Sequence, residues 1–374
     1  MKTFSIWAII LFVAVLVFPE GSVLAHPILS SAGDLGFMGL AFGTTLAVTN
    51  PTLLDVMKRT APGGGIDQVA EILMETNEVL DDMTWIEGNL PTGHRTTVRS
   101  GLPDATWRKL NYGVQPSKST TVQITDNCGM LEAYAEVDKS LADLNGNTAA
   151  FRLSEDTAFI QGMNKEFAQT LMYGNEGTEP EAFTGFMPRF NLSSAQNGEN
   201  IIKADATPSA NVQSSILLVG WGPNTVHGIY PKGSAAGLKT QDLGEQTLID
   251  AAGGKYQGYR THYKWDCGLT VRDWQYVVRI CNIDIARIAA STAGYADLVN
   301  VMTRALELIP NMGLCRPVFY CGRDIRSYLR QQIVAKTINS TLTSDTVAGK
   351  RVIAFDGVPV KRCDALLKTE AVVS

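Results

Sequence analysis

Apolar residues along the chain recur at changing spacings, and the changes mark the elements. Pro51 to Arg59 reads as a short amphipathic helix, broken by Ala61-Pro-Gly-Gly-Gly65. Ile66, Val69, Ala70, Leu73 and Leu80 then recur at roughly helical intervals and predict a second helix. From Trp85 to Val122 the texture changes: Thr96, Val98 and Trp107 lie in strand-like runs around the turn signal Gly101-Leu-Pro-Asp104. That stretch reads as a long two-stranded arm. The clearest helix is predicted over Ser154 to Tyr173, where Phe159, Met163, Phe167 and Leu171 stand four apart. Glu155 and Asp156 are assigned to its first turn, where the helix dipole favours acids, and Gly174 to its stop. Core packing is the reading of this Phe/Met stripe; such stripes are seldom cofactor boxes.

Further on, Ser215 to Trp221 and Val226 to Tyr230 flank a Gly-Pro-Asn turn and predict a hairpin. Trp274 to Ile283 predicts a buried strand, and Ala296 to Ile309 a helix ended by Pro310. Val318 to Cys321 reads as a short strand and Arg323 to Ile333 as a helix. Val352–Phe355 and Val358–Val360 bracket Asp356-Gly357, a strong two-residue hairpin signal. The order of elements is that of an α+β fold without internal repeats.

The N-terminus has a different character. Lys2, an apolar run from Ile6 to Phe18 and Val23-Leu-Ala25 before His26 resemble a secretory signal, and the run is too short to span a bilayer comfortably. Alternatively, residues 1–43 are an in-frame extension of a protein that begins near Thr44.

Composition narrows the chemistry. At 45% apolar and 18% charged residues the chain is globular, and its net charge of −5 disfavours a general nucleic-acid binder. The six cysteines include no Cys-x-x-Cys pair, and the four histidines (26, 94, 227 and 262) have no helical ligand spacing, so no metal site is predicted. Hydrolase, nucleotide and dinucleotide glycine motifs are absent, and Gly220-Trp-Gly222 leads into a turn rather than a helix. Asp81-Asp82 and Glu155-Asp156 read as helix-end charges. Cys315 and Cys321 read as buried thiols rather than a bridge. Arg260-Thr-His-Tyr-Lys-Trp265 reads as a packed loop, with stacking on single-stranded nucleic acid as the alternative. Neither an enzyme nor a cofactor is expected.

The arm carries the most physical information. Between Glu87 and Thr120 it has five cations (Arg95, Arg99, Arg108, Lys109, Lys118) against two anions (Glu87, Asp104), on a net-negative chain. It also presents Leu102, Trp107 and Leu110 with little nearby sequence to bury them. An isolated ribbon is marginally stable in water, so the arm either folds back on its own domain or, the better reading, lies on another acidic copy. Arg95, Arg99, Leu102, Trp107, Arg108 and Lys109 are the residues expected to make that contact.

Several long strings resemble major capsid proteins of short-tailed bacteriophages: Asn50-Pro-Thr-Leu-Leu-Asp-Val-Met-Lys-Arg59, Glu87-Gly-Asn-Leu-Pro-Thr-Gly-His-Arg-Thr-Thr-Val-Arg99, Gly113-Val-Gln-Pro-Ser-Lys-Ser119 and Leu144-Asn-Gly-Asn-Thr-Ala-Ala-Phe-Arg-Leu-Ser-Glu155. The resemblance runs from about Asn50 to the C-terminus and implies the Hong Kong 97-type capsid fold, with a permuted strand order as an option. It divides the chain into a non-family extension (1–43), an N-terminal arm (44–84), an E-loop (85–122), a P-domain (123–285) with spine helix 154–173, and an A-domain (286–374). It implies an icosahedral phage head built from hexamers and pentamers of this chain, assembled in the host cytoplasm. Portal, scaffolding and cement proteins are the implied partners, and DNA would be enclosed without specific binding. The alternative, a secreted or periplasmic binding protein, rests only on residues 1–25. Some shells of this type join E-loops through a lysine–asparagine bond, for which Lys109, Lys118 and Asn111 supply residue types; non-covalent docking is the favoured expectation.

Overall fold

The computed structural model describes residues 51, 55, 77–146, 148–205, 212–250, 252–290, 296–335, 342–347 and 350–373. The predicted extension 1–43, the signal-like run and most of the two N-terminal helices lie outside them. Strands β1 (Trp85–Glu87), β2 (Gly93–Gly101) and β3 (Thr120–Asp138) precede helix α1 (Thr148–Tyr173). Next come β4 (Ile201–Lys203), β5 (Gln213–Trp221), β6 (Val226–Tyr230), β7 (Lys239–Ile249), β8 (Lys255–Val271) and β9 (Val277–Asp284). Helix α2 (Leu298–Glu307), β10 (Arg316–Cys321), helix α3 (Arg323–Ala335), β11 (Leu342–Val347), β12 (Lys350–Phe355) and β13 (Val358–Arg362) complete the order. Hydrogen bonding runs β11-β12-β13-β10-β5-β6-β8-β3-β2, with β1 beside β6, β4 and β5 beside β9, and β7 beside β8. The fold is α+β, as the sequence predicts.

The core is centred on β5 and β9, every residue of which is buried. Such continuous runs, rather than alternation, belong to strands covered on both faces. Helix α2 packs Leu298, Val301, Met302, Ala305 and Leu306 inward at the spacing of one helical face. Helix α1 buries Met163, Phe167 and Leu171, so its stripe is core. The Phe167 ring stacks on Trp265 at 4.4 Å and meets Trp85 at 6.0 Å. Gly228 makes room for that indole, because a Cβ there would stand 2.8 Å from a Trp85 ring carbon. At the predicted hairpin, Asp356 and Gly357 take φ of 48° and 78°, the left-handed pair a two-residue turn needs.

A buried ion pair ties the C-terminal segment into this core. Arg279 on β9 meets Glu370 at 2.7 Å, and both side chains are almost fully buried. The Ser215 and Tyr173 hydroxyls donate to the same carboxylate. Arg279 also donates to the Phe190 carbonyl at 2.8 Å. One carboxylate thus joins α1, β5, β9 and the chain end.

Several expectations are corrected. Helix α1 starts at Thr148, where the Thr148 hydroxyl donates to Asp143 at 2.7 Å, so Glu155 and Asp156 stand well past the first turn. Thr-Ala-Ala-Phe-Arg-Leu extends the helix backward because nothing in it breaks one. Strands β5 and β6 do turn at Gly222–Thr225 but make no hairpin: they share a single pairing, Trp221 with Val226, and diverge to different neighbours. Each finds a longer partner, β5 in β9 and β10, and β6 in β8. Residues 274–276 form a 3₁₀ turn before β9 rather than its first part. The run Arg260 to Trp265 is no loop; it lies within β8, paired with β3 on one side and β7 on the other. Asp82 is no mere helix-end charge: buried, it accepts from the Tyr320 hydroxyl at 2.8 Å and from Lys361 at 2.6 Å. Cys321 is buried as expected, whereas Cys315 is half-buried.

Truncating Glu370→Ala would strand the Arg279 charge in the core, a loss of roughly 3–5 kcal/mol for a buried pair. Urea unfolding of the full chain should show it, and an unchanged midpoint would mean that the pair contributes little.

Candidate assembly interface

The arm starts at a root where no side chain fits. A Cβ on Gly93 would stand 2.1 Å from the Asp126 carbonyl oxygen, and one on Gly88 2.5 Å from that of Gly93. The Asn89 amide clamps the next turn, accepting from the Arg95 N–H at 2.7 Å and donating to its carbonyl at 2.8 Å. Beneath, the His94 and His227 rings meet edge to face at 5.8 Å, and Arg189 pairs with buried Asp126 at 2.8 Å. Burial pulls His227 down to about 4, with His94 adding to the effect; burial also lowers His94, against the pull of Asp126.

From the root, β2 and β3 pair from Gly93 with Asn127 to Gly101 with Thr120, with one irregularity after Arg99. The register makes the ribbon two-faced. Thr96, Val98, Val122 and Ile124 share one face; Arg95, Thr97, Arg99, Thr121, Gln123 and Thr125 share the other. The Arg95 side chain donates to the Thr125 hydroxyl at 3.2 Å. Strand β3 does not stop at the root. It continues into the body, pairing with β8 from Cys128 with Gly268 to Asp138 with Gly258. The expected border between residues 122 and 123 therefore falls inside a strand.

Residues 102–120 are all exposed. Trp107, 103% exposed, touches nothing that shields it, and Leu102, Leu110 and Tyr112 are also open to solvent. Residues 102–119 form no strand, which corrects the strand-like reading around Trp107; they hold together through a Lys109–Tyr112 turn and a Ser117 hydroxyl donated to the Asp104 carbonyl at 2.7 Å. Of the six expected contact residues, Leu102, Trp107, Arg108 and Lys109 gather at this tip, whereas Arg95 and Arg99 stand on the polar face of the stem. Among the described residues, Arg99, Arg108, Lys109 and Lys118 make no ion pair. The arm is thus basic and apolar at once, and neither property is satisfied within one copy. The sequence reading missed the root: the His94–His227 contact and the Asp126–Arg189 pair join residues distant in sequence, and only the tight Gly88 and Gly93 spacing hinted at a constrained turn. Among the described residues no three His, Cys, Asp or Glu side chains stand together as a metal site.

An α+β body with a long uncovered arm is the architecture of a shell-forming protein of the Hong Kong 97 type. The chain belongs to the major capsid protein GP7 family, whose model matches residues 61–374. A solved structure of bacteriophage epsilon15 is similar at 34% identity and a TM-score of 0.72, over 88% of this chain and 99% of that one. The bacteriophage JBD30 capsid is similar at 10% identity and a TM-score of 0.44, over 85% and 99%. No curated protein matches. The chain is therefore a structural capsid protein whose copies assemble into the icosahedral shell of a phage head, and the comparisons give no support to a secreted binding protein.

The root predicts a pH dependence. A His held neutral in the fold has its pKa below the unfolded value of 6.5, so its contribution is full above that pH. It is lost as pH falls towards about 4, on the order of 3 kcal/mol for His227. Between pH 6.5 and 4 the unfolding midpoint of His227→Gln should fall less steeply than that of the unaltered chain. Equal slopes would rule His227 out as the source.

Proposed function

We propose that residues 85–122 act as the E-loop, through which each copy holds its neighbour in the shell. Residues 44–84 would then be the N-terminal arm, 123–285 the P-domain with its spine helix, and 286–374 the A-domain. The observation that carries this reading is the tip: residues 102–120 are wholly exposed, with Trp107 bare and flanked by Arg108 and Lys109. Exposed apolar surface rimmed by charge marks a surface meant to be covered. The reading extends to hexamers and pentamers assembled in the host cytoplasm, with portal, scaffolding and cement proteins as further partners.

The contacts proposed at the arm are Arg95, Arg99, Leu102, Trp107, Arg108 and Lys109. Truncating a buried interface aromatic often costs about 2 kcal/mol or more, while a rim charge acts through salt-dependent association. Trp107→Ala should therefore leave a folded chain that assembles poorly by light scattering. Lys109→Ala should mainly change the salt dependence of assembly. Normal assembly of Trp107→Ala would sink the reading. A ladder of linked subunits on reducing, denaturing gels of mature heads would overturn non-covalent docking.

The genome is enclosed rather than gripped, because 37 acids outweigh 32 cations and counterion release needs clustered positive charge. Isolated subunits should bind DNA weakly and without sequence preference at physiological salt. A tight complex in a filter-binding or gel-shift titration would contradict this.

A further inference from the structure

Where β3 enters the body, at Gly129–Leu131, lies a cleft of about 220 Å³ between that strand, helix α1 and residues 179–183. Leu131, Phe167, Phe183 and Cys267 line it with apolar atoms. Glu166, Glu179 and Glu181 also line it, and all three are exposed. None of the three is ion-paired among the described residues. A cavity of about 150 Å³ holds a benzene ring, so this one has room for the larger indole. The cleft therefore presents an apolar floor and an acidic mouth, the complement of a bare tryptophan followed by two cations.

The chain's own Trp107 cannot reach it. Met130 stands ten residues along β3 from Thr120, about 33 Å at strand rise. Thr120 pairs with Gly101, and the six residues from there to Trp107 reach back at most about 21 Å. Only another molecule can supply the occupant while the ladder is intact.

We propose that this cleft seats Trp107 of a second copy of this chain, with Arg108 and Lys109 paired to Glu166, Glu179 and Glu181 at its mouth. The inference rests on the arm being an inter-subunit contact and adds its receptor. It separates two roles within one strand, since β3 carries the arm at its N-terminal end and lines the receiving cleft at its middle.

The test uses full-length chains carrying p-benzoylphenylalanine at position 107, co-assembled as a minority with unaltered chains so that heads form regardless. After irradiation, mass spectrometry of the linked dimer should map the adduct to residues 129–131, 166–170 or 179–183 of the other copy. An adduct elsewhere on another copy would overturn the cleft and leave the arm's role standing. An intrachain adduct, or none between copies, would overturn both. In parallel, the double change Glu179→Lys with Glu181→Lys should weaken association about 30-fold, the scale of a strong interface contact. Adding Arg108→Glu with Lys109→Glu should restore most of that loss. A charge-reversed chain that melts normally and assembles normally would also overturn the cleft, as would absence of rescue.

Discussion

One strand belongs to two structures, and much of the molecule follows from that. The N-terminal part of β3 pairs with β2 as half of a two-stranded ribbon, and its C-terminal part pairs with β8 in the body sheet. A free two-stranded ribbon is marginal in water. Here its ladder is continuous with one anchored by eleven further pairings to β8, so the arm's direction is set by the body. The same continuity prevents the tip from folding back to shelter Leu102 and Trp107. Exposure of the tip is thus a consequence of backbone pairing.

A lever of this kind needs a firm anchorage. Behind the root, Asp126 is buried against Arg189, and Arg189 also donates to the Thr184 carbonyl at 3.1 Å, linking β3 to the segment beyond α1. Deeper still, Glu370 gathers Arg279, Ser215 and Tyr173, and Asp82 gathers Tyr320 and Lys361. Buried charges are costly to desolvate and rarely the best source of stability. Their partners here come from segments far apart in sequence, so they fix which segments meet. The Asp82 cluster does this for the segment leading into β1 and for β10 and β13.

What the sequence revealed follows from what is local. The stripe of α1, the spacing in α2 and the Asp356-Gly357 turn depend on residues a few positions apart, and all are legible. The start of α1 was misplaced because the apolar stripe begins later than the helix. The false hairpin of β5 and β6 had a true turn, but pairing is decided by competing strands that no turn signal names. Likewise Arg260 to Trp265 looked too polar and aromatic for an inner strand. In place, Arg260 pairs with Glu136 and Lys264 with Glu132 at 3.0 Å, while Tyr263 and Trp265 pack beneath α1. Cross-strand partners make that composition suitable, and they stand over a hundred residues away. At the arm, charge and apolar content identified the tip, yet Arg95 and Arg99 fall on the stem because register alone distinguishes stem from tip.

The arm's unpaired cations also bear on how a shell can close without error. Ion pairs already formed within a copy would have to be broken on docking, whereas Arg99, Arg108, Lys109 and Lys118 make none among the described residues and, docked as proposed, would have only water to shed. Exposed pairs contribute little each, commonly below about 1 kcal/mol, and are weakened by salt. They can therefore steer approach without trapping a misplaced copy. The larger gain waits until an aromatic ring is fully covered, which demands correct geometry. Weak, long-range attraction followed by strict apolar fit lets wrong contacts dissociate and right ones persist. A bare tryptophan beside cations without ion pairs, at the tip of a ribbon that cannot bend home, supplies both parts.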